Sequence, residues 1–564
     1  MGKLDFMVMV VFALLIFAIG LTFTRSSSKS GQAFFEAGGE TPWWINGLSL
    51  FISYFSAGTF VVWGSIAYSS GIVANVIQLT MAISGLIVTL VIASKWKKKG
   101  VTTAAEFIGK RFGAREKQFY TYLTLLLSLF TTAAVLYPVG KMVYVATPFT
   151  LNQCIVGIGL IIVLYTAAGG LWAVLVTDVV QFVILSAAVI IVIPIALGHI
   201  GGLSTLVNQA PAGYFKPFNQ EYSIEFMLAF VVYQTFYIGG NWAYVQRYTS
   251  VSTEKNARKV SGIFTVLYLI CPVIWMLPPM IYRIINPNLT GLETEGAYMM
   301  LIQSVMPAGL IGLVLAGMIS ATSSKANTTI NMAATVFAQD IYKNLMRPNA
   351  SEKEVIFVAR FFTLLFGIGT ILIAIWIPSA GGIVEVVLST AAIAGGALFA
   401  PIIWSLYSNR TRGTAVLSAT IISLLVNLFF KVLSPSLLDF KLNRATETAF
   451  GMGIPVLIMF IFELYYIYKR TYALRALDME EERKTSLKKK SAAMHEDALN
   501  QNLFGIRVIG ISMLVVGLGI TLLGALAPKY SCVVITVGMV IFASALIIIY
   551  ASRKRERKMD ERFL

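Results

Sequence analysis

The stretch Gly312–Tyr342 reads GLVLAGMISATSSKANTTINMAATVFAQDIY, a small-residue and hydroxyl-rich run with a single lysine, Lys325, in its middle. Four of its residues share one face of a helix by their spacing: Ala321, Ser324, Lys325 and Thr328. Asp340 lies about 15 residues beyond Lys325, which is about 22 Å along a helix. The lysine side chain is much shorter than this, so Lys325 cannot extend its ammonium as far as Asp340. We therefore expect the Lys325 ammonium to lie deep in the fold and to need a polar partner.

The composition around this stretch is that of a membrane protein. Of 564 residues, 57% are hydrophobic and only 13% are charged, and the mean hydropathy is +0.77. Runs of about 20 apolar residues recur along the chain, each long enough to span a bilayer as a helix. The sequence therefore predicts an all-helical, multi-pass protein of a plasma or bacterial inner membrane, with the lipid bilayer as its surroundings.

The distribution of charge gives an orientation. The net charge of +17 gathers in alternate short loops, among them the segment 246–259, as the positive-inside bias requires. This placement argues against nucleic acid as a partner. An extracellular N-terminus and a cytoplasmic C-terminus follow from about 15 spans. The spans are predicted at about 4–23, 45–70, 73–95, 118–147, 151–168, 172–197, 223–248, 257–285, 297–342, 354–377, 382–406, 413–434, 449–469, 505–526 and 531–551.

Two predicted spans contain interruptions, FSAGT at 55–59 and GGN at 239–241. Each opens a block of five spans, so the second block enters the membrane in the opposite sense to the first. Paired broken helices in inverted halves indicate a binding site for a small molecule at the membrane midplane. The alternative is that these glycines only allow close helix packing.

This pattern divides the chain into four parts. They are 1–42, an extra N-terminal transmembrane helix with a cytoplasmic connector; 43–222, the first inverted repeat; 223–410, the second inverted repeat; and 411–564, extra C-terminal helices with a charged cytoplasmic loop at 471–502. The three cysteines, Cys154, Cys271 and Cys532, lie in apolar runs and predict neither a disulfide framework nor a metal cluster. Without metal-ligand clusters or a nucleophile–base arrangement, an enzyme is not expected.

Three segments resemble the solute:sodium symporter family: LYTAAGGLWAVLVTDVVQ at 164–181, VQR at 245–247 and TVFAQDIY at 335–342. That family includes sodium/glucose cotransporters, the proline permease and bacterial sialic acid transporters, and the similarity covers about residues 45–410. The resemblance implies a LeuT-type 5+5 inverted-repeat core with one extra helix before it and four after it. It also implies secondary active transport of a small organic solute by alternating access.

The resemblance also implies a main sodium site. Its carbonyl ligands would be those of Ile52, Phe55 and Ala321, and one hydroxyl would come from Ser324. The second hydroxyl position is Lys325 in this chain. A lysine ammonium there would occupy the space and supply the charge of the ion, so transport would be sodium-independent or proton-linked. Sodium could bind at the other four positions only if Lys325 does not fill the site; no other cofactor is expected.

Asp178 is the expected countercharge of Lys325, either in direct contact or through Ser324 and water. Two alternatives remain open. Lys325 could be part of a purely structural ion pair, or the alignment could be displaced along the helix. In the second case hydroxyls next to the predicted positions would complete an ordinary sodium site: Ser320, Thr322 and Ser323.

The solute site departs from that of sugar-transporting relatives. The positions matching their hydroxyl clamp are Tyr54, Thr59, Gln78, Tyr268 and Leu388, and few of these preserve the family chemistry. Tyr237 matches an aromatic residue that covers the site in relatives. Trp63 and Trp242 could line the cavity or merely pack. The predicted solute contacts are Tyr54, Thr59, Gln78, Tyr237, Asn241, Tyr268 and Ser389.

Two further functions stay open at this point. A conventional sodium-coupled symporter would follow if the main sodium site is intact. A transporter-like membrane sensor would signal through the loop at 471–502. The identity of the solute, the direction of transport and the oligomeric state do not follow from the sequence.

Overall fold

A computed structural model describes residues 1–27, 40–101, 104–165, 171–470 and 492–563. Every regular element in these ranges is a helix. Ten helices are long and apolar enough to cross a membrane, and four shorter apolar helices accompany them within the same ranges. The chain is therefore a multi-pass membrane protein, as its composition predicts.

The first part of the chain forms one peripheral helix and the first set of core helices. They are α1 (Lys3–Ser27), α2 (Trp43–Ile52), α3 (Gly64–Ser70), α4 (Val73–Ile87), α5 (Ala93–Lys99), α6 (Ala104–Arg111), α7 (Ala114–Ala146), α8 (Leu151–Tyr165), α9 (Leu171–Ile200) and α10 (Leu203–Gln209). The π-helical turns Thr59–Trp63 and Val88–Ile92 lead into α3 and α5. The pair α2 and α3 makes one broken span.

A second set of core helices follows. They are α11 (Ile224–Gly240), α12 (Trp242–Thr249), α13 (Glu254–Trp275), α14 (Leu277–Ile285), α15 (Ala297–Val305), α16 (Leu310–Val336), α17 (Glu352–Trp376), α18 (Ile383–Thr390) and α19 (Gly396–Tyr407). Four 3-10 or π-helical segments connect or extend them: Gly291–Gly296, Phe337–Met346, Ile377–Ala380 and Ala391–Gly395. The pair α11 and α12 makes the second broken span.

The remaining helices lie outside both sets. They are α20 (Gly413–Leu428), α21 (Ser434–Leu437), α22 (Arg444–Tyr468), α23 (Ala492–Leu526) and α24 (Ser531–Phe563), with a π-helical turn at Phe429–Leu433. The predicted loop at 471–502 lies outside the described residues up to 491, and its last residues belong to α23.

Several helices begin where the sequence supplies a capping side chain. In each case a Ser, Thr or Asn oxygen accepts from the amide three residues further on, which satisfies one of the free N–H groups of the first turn. The four pairs are Ser223 with Phe226, Thr253 with Asn256, Ser351 with Glu354, and Asn443 with Thr446.

Each predicted span coincides with one helix or one pair of helices, with one correction. The predicted span 297–342 is not continuous, because the chain leaves helical geometry between α15 and α16. Pro307 lies in this gap, and Gly309 adopts a positive φ of 90° there, a conformation that favours glycine. The membrane-spanning helix that carries Lys325 therefore begins at Leu310. Part of the motif at 164–181, residues 166–170, lies outside the described ranges.

Candidate solute and cation site

The first broken span exposes the two carbonyl groups that were predicted as sodium ligands. In an uninterrupted helix the Ser56 amide would bond the Ile52 carbonyl, and the Thr59 amide would bond the Phe55 carbonyl. Instead the Ser56 amide donates to the Thr59 hydroxyl at 3.2 Å, and the Thr59 amide donates to the Ser56 carbonyl at 2.9 Å. The carbonyls of Ile52 and Phe55 thus lose their usual partners at the break.

Lys325 reaches this break from α16. Its Nζ donates a hydrogen bond of 2.9 Å to the carbonyl oxygen of Ser53, the residue between the two predicted carbonyl ligands in the chain. Ala321 is buried on the same helix, one turn earlier. The side chain of Ser324 lies outside the described part of the structure. The ammonium therefore binds a carbonyl of the interrupted helix, which is the partner it needs at this depth.

Asp178 makes its ion pair with a different cation. Its Oδ2 accepts a hydrogen bond of 2.6 Å from the Ser49 hydroxyl and lies 3.7 Å from Nη2 of Arg247. The two charged side chains are each only 7% exposed, and Arg247 Nε also donates to the Ser49 hydroxyl at 3.3 Å. Among the described ion pairs of Asp178, Arg247 takes the place that the sequence assigned to Lys325.

Separate hydrogen bonds of Ser49 on α2 and of Ser53, which follows α2, nevertheless connect the two charged residues. The Ser53 hydroxyl donates to the Ser49 carbonyl at 2.7 Å, so Lys325 contacts Ser53, Ser53 contacts Ser49, and Ser49 contacts Asp178. Lys325 and Asp178 are therefore linked through Ser53 and Ser49. The predicted link through Ser324 and water stays a prediction, because the Ser324 side chain lies outside the described part of the structure.

The glycines of the second broken span fit both interpretations given to them, a helix break and close helix packing. Asn241 is extended between α11 and α12, and its side chain accepts from the Ala243 amide at 3.0 Å, which caps α12. A Cβ on Gly239 would lie 2.7 Å from Ile92, and one on Gly240 would lie 2.8 Å from Phe399. The glycines thus accompany a real helix break and also allow close packing.

Aromatic rings surround the first break. Tyr54 stacks on Tyr244 with 4.6 Å between ring centroids, and Tyr237 and Tyr268 each approach Tyr54 edge-on at 6.1 Å. The structure thus brings together three predicted solute contacts: Tyr54, Tyr237 and Tyr268. The Tyr54 hydroxyl is buried and has no hydrogen-bond partner among the described residues.

Gln78 is a second buried polar group without a partner. Its side chain is 1% exposed, and both its amide nitrogen and its amide oxygen lack a hydrogen bond within the described ranges. It lies on α4, which packs against α11 and α13. Leaving such groups unpaired costs about 1–3 kcal/mol each, so the amide is suited to a polar ligand or water.

The other predicted contacts already have hydrogen-bond or packing roles. The Thr59 hydroxyl donates to the Tyr54 carbonyl at 3.0 Å as part of the break, and the Asn241 side chain caps α12. Ser389 donates to Glu385 at 2.9 Å, and Leu388 is buried. Trp63 packs on Phe230 and Trp242 packs on Trp96.

Sequence reasoning missed Arg247, Ser49 and Ser53. Arg247 was assigned to a basic cytoplasmic segment, but α12 begins soon after the second break and turns it into the interior, where it is 6% exposed. Its place in the VQR motif was the available signal. Ser49 lies on α2 and Ser53 directly follows that helix; their spacing of four residues puts both on one side. No cluster of three His, Cys, Asp or Glu side chains suited to a metal ion occurs among the described residues.

Known proteins are similar to this chain over much of its length. The model of the family described as "Sodium:solute symporter family" matches residues 34–423. A sodium/glucose cotransporter of Vibrio parahaemolyticus is 26% identical over 469 residues, covering 77% of this chain and 86% of that protein. A sodium/sialic acid symporter of Proteus mirabilis is 28% identical over 394 residues, covering 67% and 78%. A sodium/myo-inositol cotransporter 2 of Bos taurus is 27% identical over 418 residues, which span 61% of its length.

Two solved structures show the fold. A substrate-bound, outward-open Na+-coupled sialic acid symporter superimposes with a TM-score of 0.68 at 22% identity, covering 82% of this chain and 97% of the other. A nucleobase-cation-symport-1 family transporter gives a TM-score of 0.53 at 14% identity, covering 79% and 98%. The predicted all-helical, LeuT-type fold with extra helices is confirmed. The repeat boundaries at 222 and 410 stay predictions.

Proposed function

This chain belongs to the sodium:solute symporter family and is a secondary transporter rather than an enzyme; we propose that its solute is a small polar organic molecule, moved by alternating access. The observation that carries this proposal is the buried amide of Gln78, which has no partner among the described residues; it lies on α4, which packs against α11 of the second broken span. Paired broken helices in inverted repeats are where such transporters bind their solutes. A hydrogen-bonding solute would satisfy the amide.

The solute contacts we favour are Gln78 and the Tyr54 hydroxyl, because both are buried and without partners. Tyr237 and Tyr268 supply aromatic surfaces next to Tyr54. Thr59, Asn241 and Ser389 remain candidates only if the solute displaces the hydrogen bonds that these side chains make.

Sodium coupling is the first candidate for the driving ion. The relatives named above are sodium-coupled by their descriptions. In this chain the freed carbonyls of Ile52 and Phe55 would supply oxygen ligands, which hard cations prefer. Ala321 and Ser324 would complete the site from α16.

A lysine-filled cation site is the second candidate, and one contact favours it. Lys325 Nζ donates to the Ser53 carbonyl at 2.9 Å, so the ammonium supplies a positive charge at the break. A sodium ion beside it would be opposed by like-charge repulsion. Transport would then be sodium-independent or proton-linked.

Solute uptake into proteoliposomes separates these candidates. We would test glucose, myo-inositol, sialic acid and proline in sodium chloride and in choline chloride, with the parent protein, Lys325→Ser, and Lys259→Ser as a control. Lys259 lies on α13, and its ammonium is 4.9 Å from the centroid of the Trp43 ring at the start of α2.

Steep sodium dependence in the parent and in Lys259→Ser would support ordinary coupling. Sodium-independent uptake in the parent, with sodium dependence gained in Lys325→Ser, would support the lysine-filled site. Solute binding without flux in any condition would contradict a transporter and favour a membrane sensor.

A further inference from the structure

The start of α16, the helix that carries Lys325, is held by a residue at the other end of the chain. Asp5 of α1 is 1% exposed. Its Oδ1 accepts hydrogen bonds from the amides of Gly309 at 2.6 Å and Gly312 at 3.2 Å. Its Oδ2 accepts from the Gly2 amide at 2.8 Å. Both carboxylate oxygens are therefore used, and two of their three donors belong to the first turn of α16 or the residue before it.

Charge and shape both fit this contact. The first amides of a helix have no partner within the helix, and the helix dipole makes this end positive. A carboxylate is the side chain best suited to such an end. The backbones also touch, because a Cβ on Gly312 would lie 2.0 Å from the Asp5 carbonyl oxygen. The absence of a side chain at Gly312 is thus what lets α1 approach α16.

A peripheral helix from the C-terminal part of the chain meets the same point. A Cβ on Gly309 would lie 2.6 Å from Leu523 of α23 and 3.2 Å from Leu4 of α1. Both α1 and α23 therefore pack against the start of α16. Both helices lie outside the two sets of core helices.

We propose that Asp5 is a positioning residue, which fixes the axial height of α16 and so the contact between Lys325 and Ser53. The helix is continuous from Leu310 to Val336, and a continuous helix transmits an axial shift along its length. A second anchor, the hydrogen bond of 3.0 Å from Gln181 to Ser320, lies nearer to Lys325 and limits rotation of α16. Asp5 fixes the axial position of α16 at the N-terminal end of that helix.

Hydrogen–deuterium exchange of the full-length protein in nanodiscs tests this without knowledge of the solute. Asp5→Asn removes the negative charge that accepts from the start of α16. We therefore expect amides 309–313 to exchange about tenfold faster, which corresponds to a loss of about 1.4 kcal/mol in the free energy that protects them. We also expect faster exchange at 51–59, because the Lys325–Ser53 contact loosens. Amides of α13 should not change.

Gly312→Ala should give the same pattern through its clash with the Asp5 backbone. Gly262→Ala on α13 is the matched control, because a Cβ there meets nothing within 4 Å. Lys325→Met should raise exchange at 51–59 by itself, and adding Asp5→Asn should then raise it no further there.

Three results would overturn the proposal. Faster exchange confined to 309–313 would make Asp5 a local cap only. Faster exchange in α13 as well would indicate general destabilisation. Unchanged exchange at 309–313 would mean that the Asp5 carboxylate does not hold the start of α16 at all.

Discussion

At the residue scale, one carboxylate serves two cations near the first break. Asp178 is paired directly with Arg247, and contacts through Ser53 and Ser49 link Lys325 to it. Losing one member of a buried ion pair is costly because it leaves the other charge buried and uncompensated. The single and double variants of this pair should therefore differ sharply in stability.

We expect Asp178→Asn to lower the free energy of unfolding by about 3–5 kcal/mol. The double variant Asp178→Asn with Arg247→Met should lose less than the sum of the two single variants. Thermal and denaturant unfolding in detergent would measure both. Lys98→Gln is the control, because the Lys98–Glu254 pair is exposed and should contribute less than about 1 kcal/mol. Strictly additive losses would argue against a coupled pair.

Gln78 offers the opposite prediction, a gain in stability with a loss of function. In Gln78→Leu two buried unpaired polar atoms disappear, so the free energy of unfolding should rise by about 1–3 kcal/mol. Solute uptake should fall because the amide is lost as a hydrogen-bonding group. Unfolding and uptake would be measured on the same preparation. A destabilised variant with normal uptake would show that Gln78 is a structural residue.

Individual site residues were predictable only where backbone geometry defines them. The carbonyls of Ile52 and Phe55 were implied by the family resemblance at the break, and the structure leaves both without their helical partners. Arg247 was not predictable from charge patterning, because an arginine in a basic cytoplasmic segment and one turned inward after a helix break have the same local sequence. Burial distinguishes them, and burial depends on the packing of α12.

At the element scale, the glycines of the second break set the approach of three helices. Gly240→Ala should force its new methyl against Phe399 of α19, at 2.8 Å, and cost about 1–3 kcal/mol as overpacking. Gly157→Ala on α8 is a matched control, because nothing lies within 4 Å of its added Cβ. Thermal unfolding would compare the two. Equal stability would mean that α19 can move away freely.

Glu295, in a segment outside the candidate membrane spans, contacts two helices. It lies in the 3-10 segment Gly291–Gly296, accepts from the Tyr137 hydroxyl of α7 at 2.6 Å and from the Ile383 amide of α18 at 2.9 Å. Burial raises the pKa of the Glu295 carboxyl, although its hydrogen bonds and nearby Lys141 oppose that change. Protonation of Glu295 is therefore favoured by folding.

The sign of the pH effect follows from this raised pKa. The stability that Glu295 contributes is full below the ordinary carboxyl pKa of about 4.3 and is lost as pH rises through the higher native pKa. The unfolding temperature of the parent relative to Glu295→Gln should therefore fall as pH rises through that window. Glu293→Gln, in the same 3-10 segment, serves as the control. A difference that grows with pH would contradict the assignment.

Elements were more predictable than contacts. Apolar runs predicted every span, and the GGN and FSAGT interruptions predicted both breaks. The break between α15 and α16 was missed, since Pro307 and Gly309 lie in an otherwise apolar run and the stretch 297–342 was read as one helix. The hydrogen bonds between Asp5 and the start of α16 join residues about 300 positions apart, a contact that sequence spacing cannot reveal.

At the scale of the whole molecule, the predicted orientation can be tested with one native cysteine. The charge bias predicts an outside N-terminus, which would place the start of α24 outside as well. Cys532 is exposed there, whereas Cys154 is buried and Cys271 is half-buried. A membrane-impermeant maleimide should label intact cells through Cys532, and Cys532→Ser should abolish that labelling. Labelling only after permeabilisation would reverse the orientation.

The last core span begins with the short helix α18, which lies between a pair of glycines and a π-helical turn. Gly381 and Gly382 both have φ of +91° before α18, and the π-helical turn Ala391–Gly395 follows it. A rod of 8 residues is about 12 Å long, so a tilt of about 20° would sweep its tip through about 4 Å. A tilt of α18 at the π-helical turn would leave Phe399 of α19 against Gly240. It would first have to break the hydrogen bond from the Ile383 amide to Glu295, so this single carboxylate would restrain the outer end of the span while its inner packing stays in place.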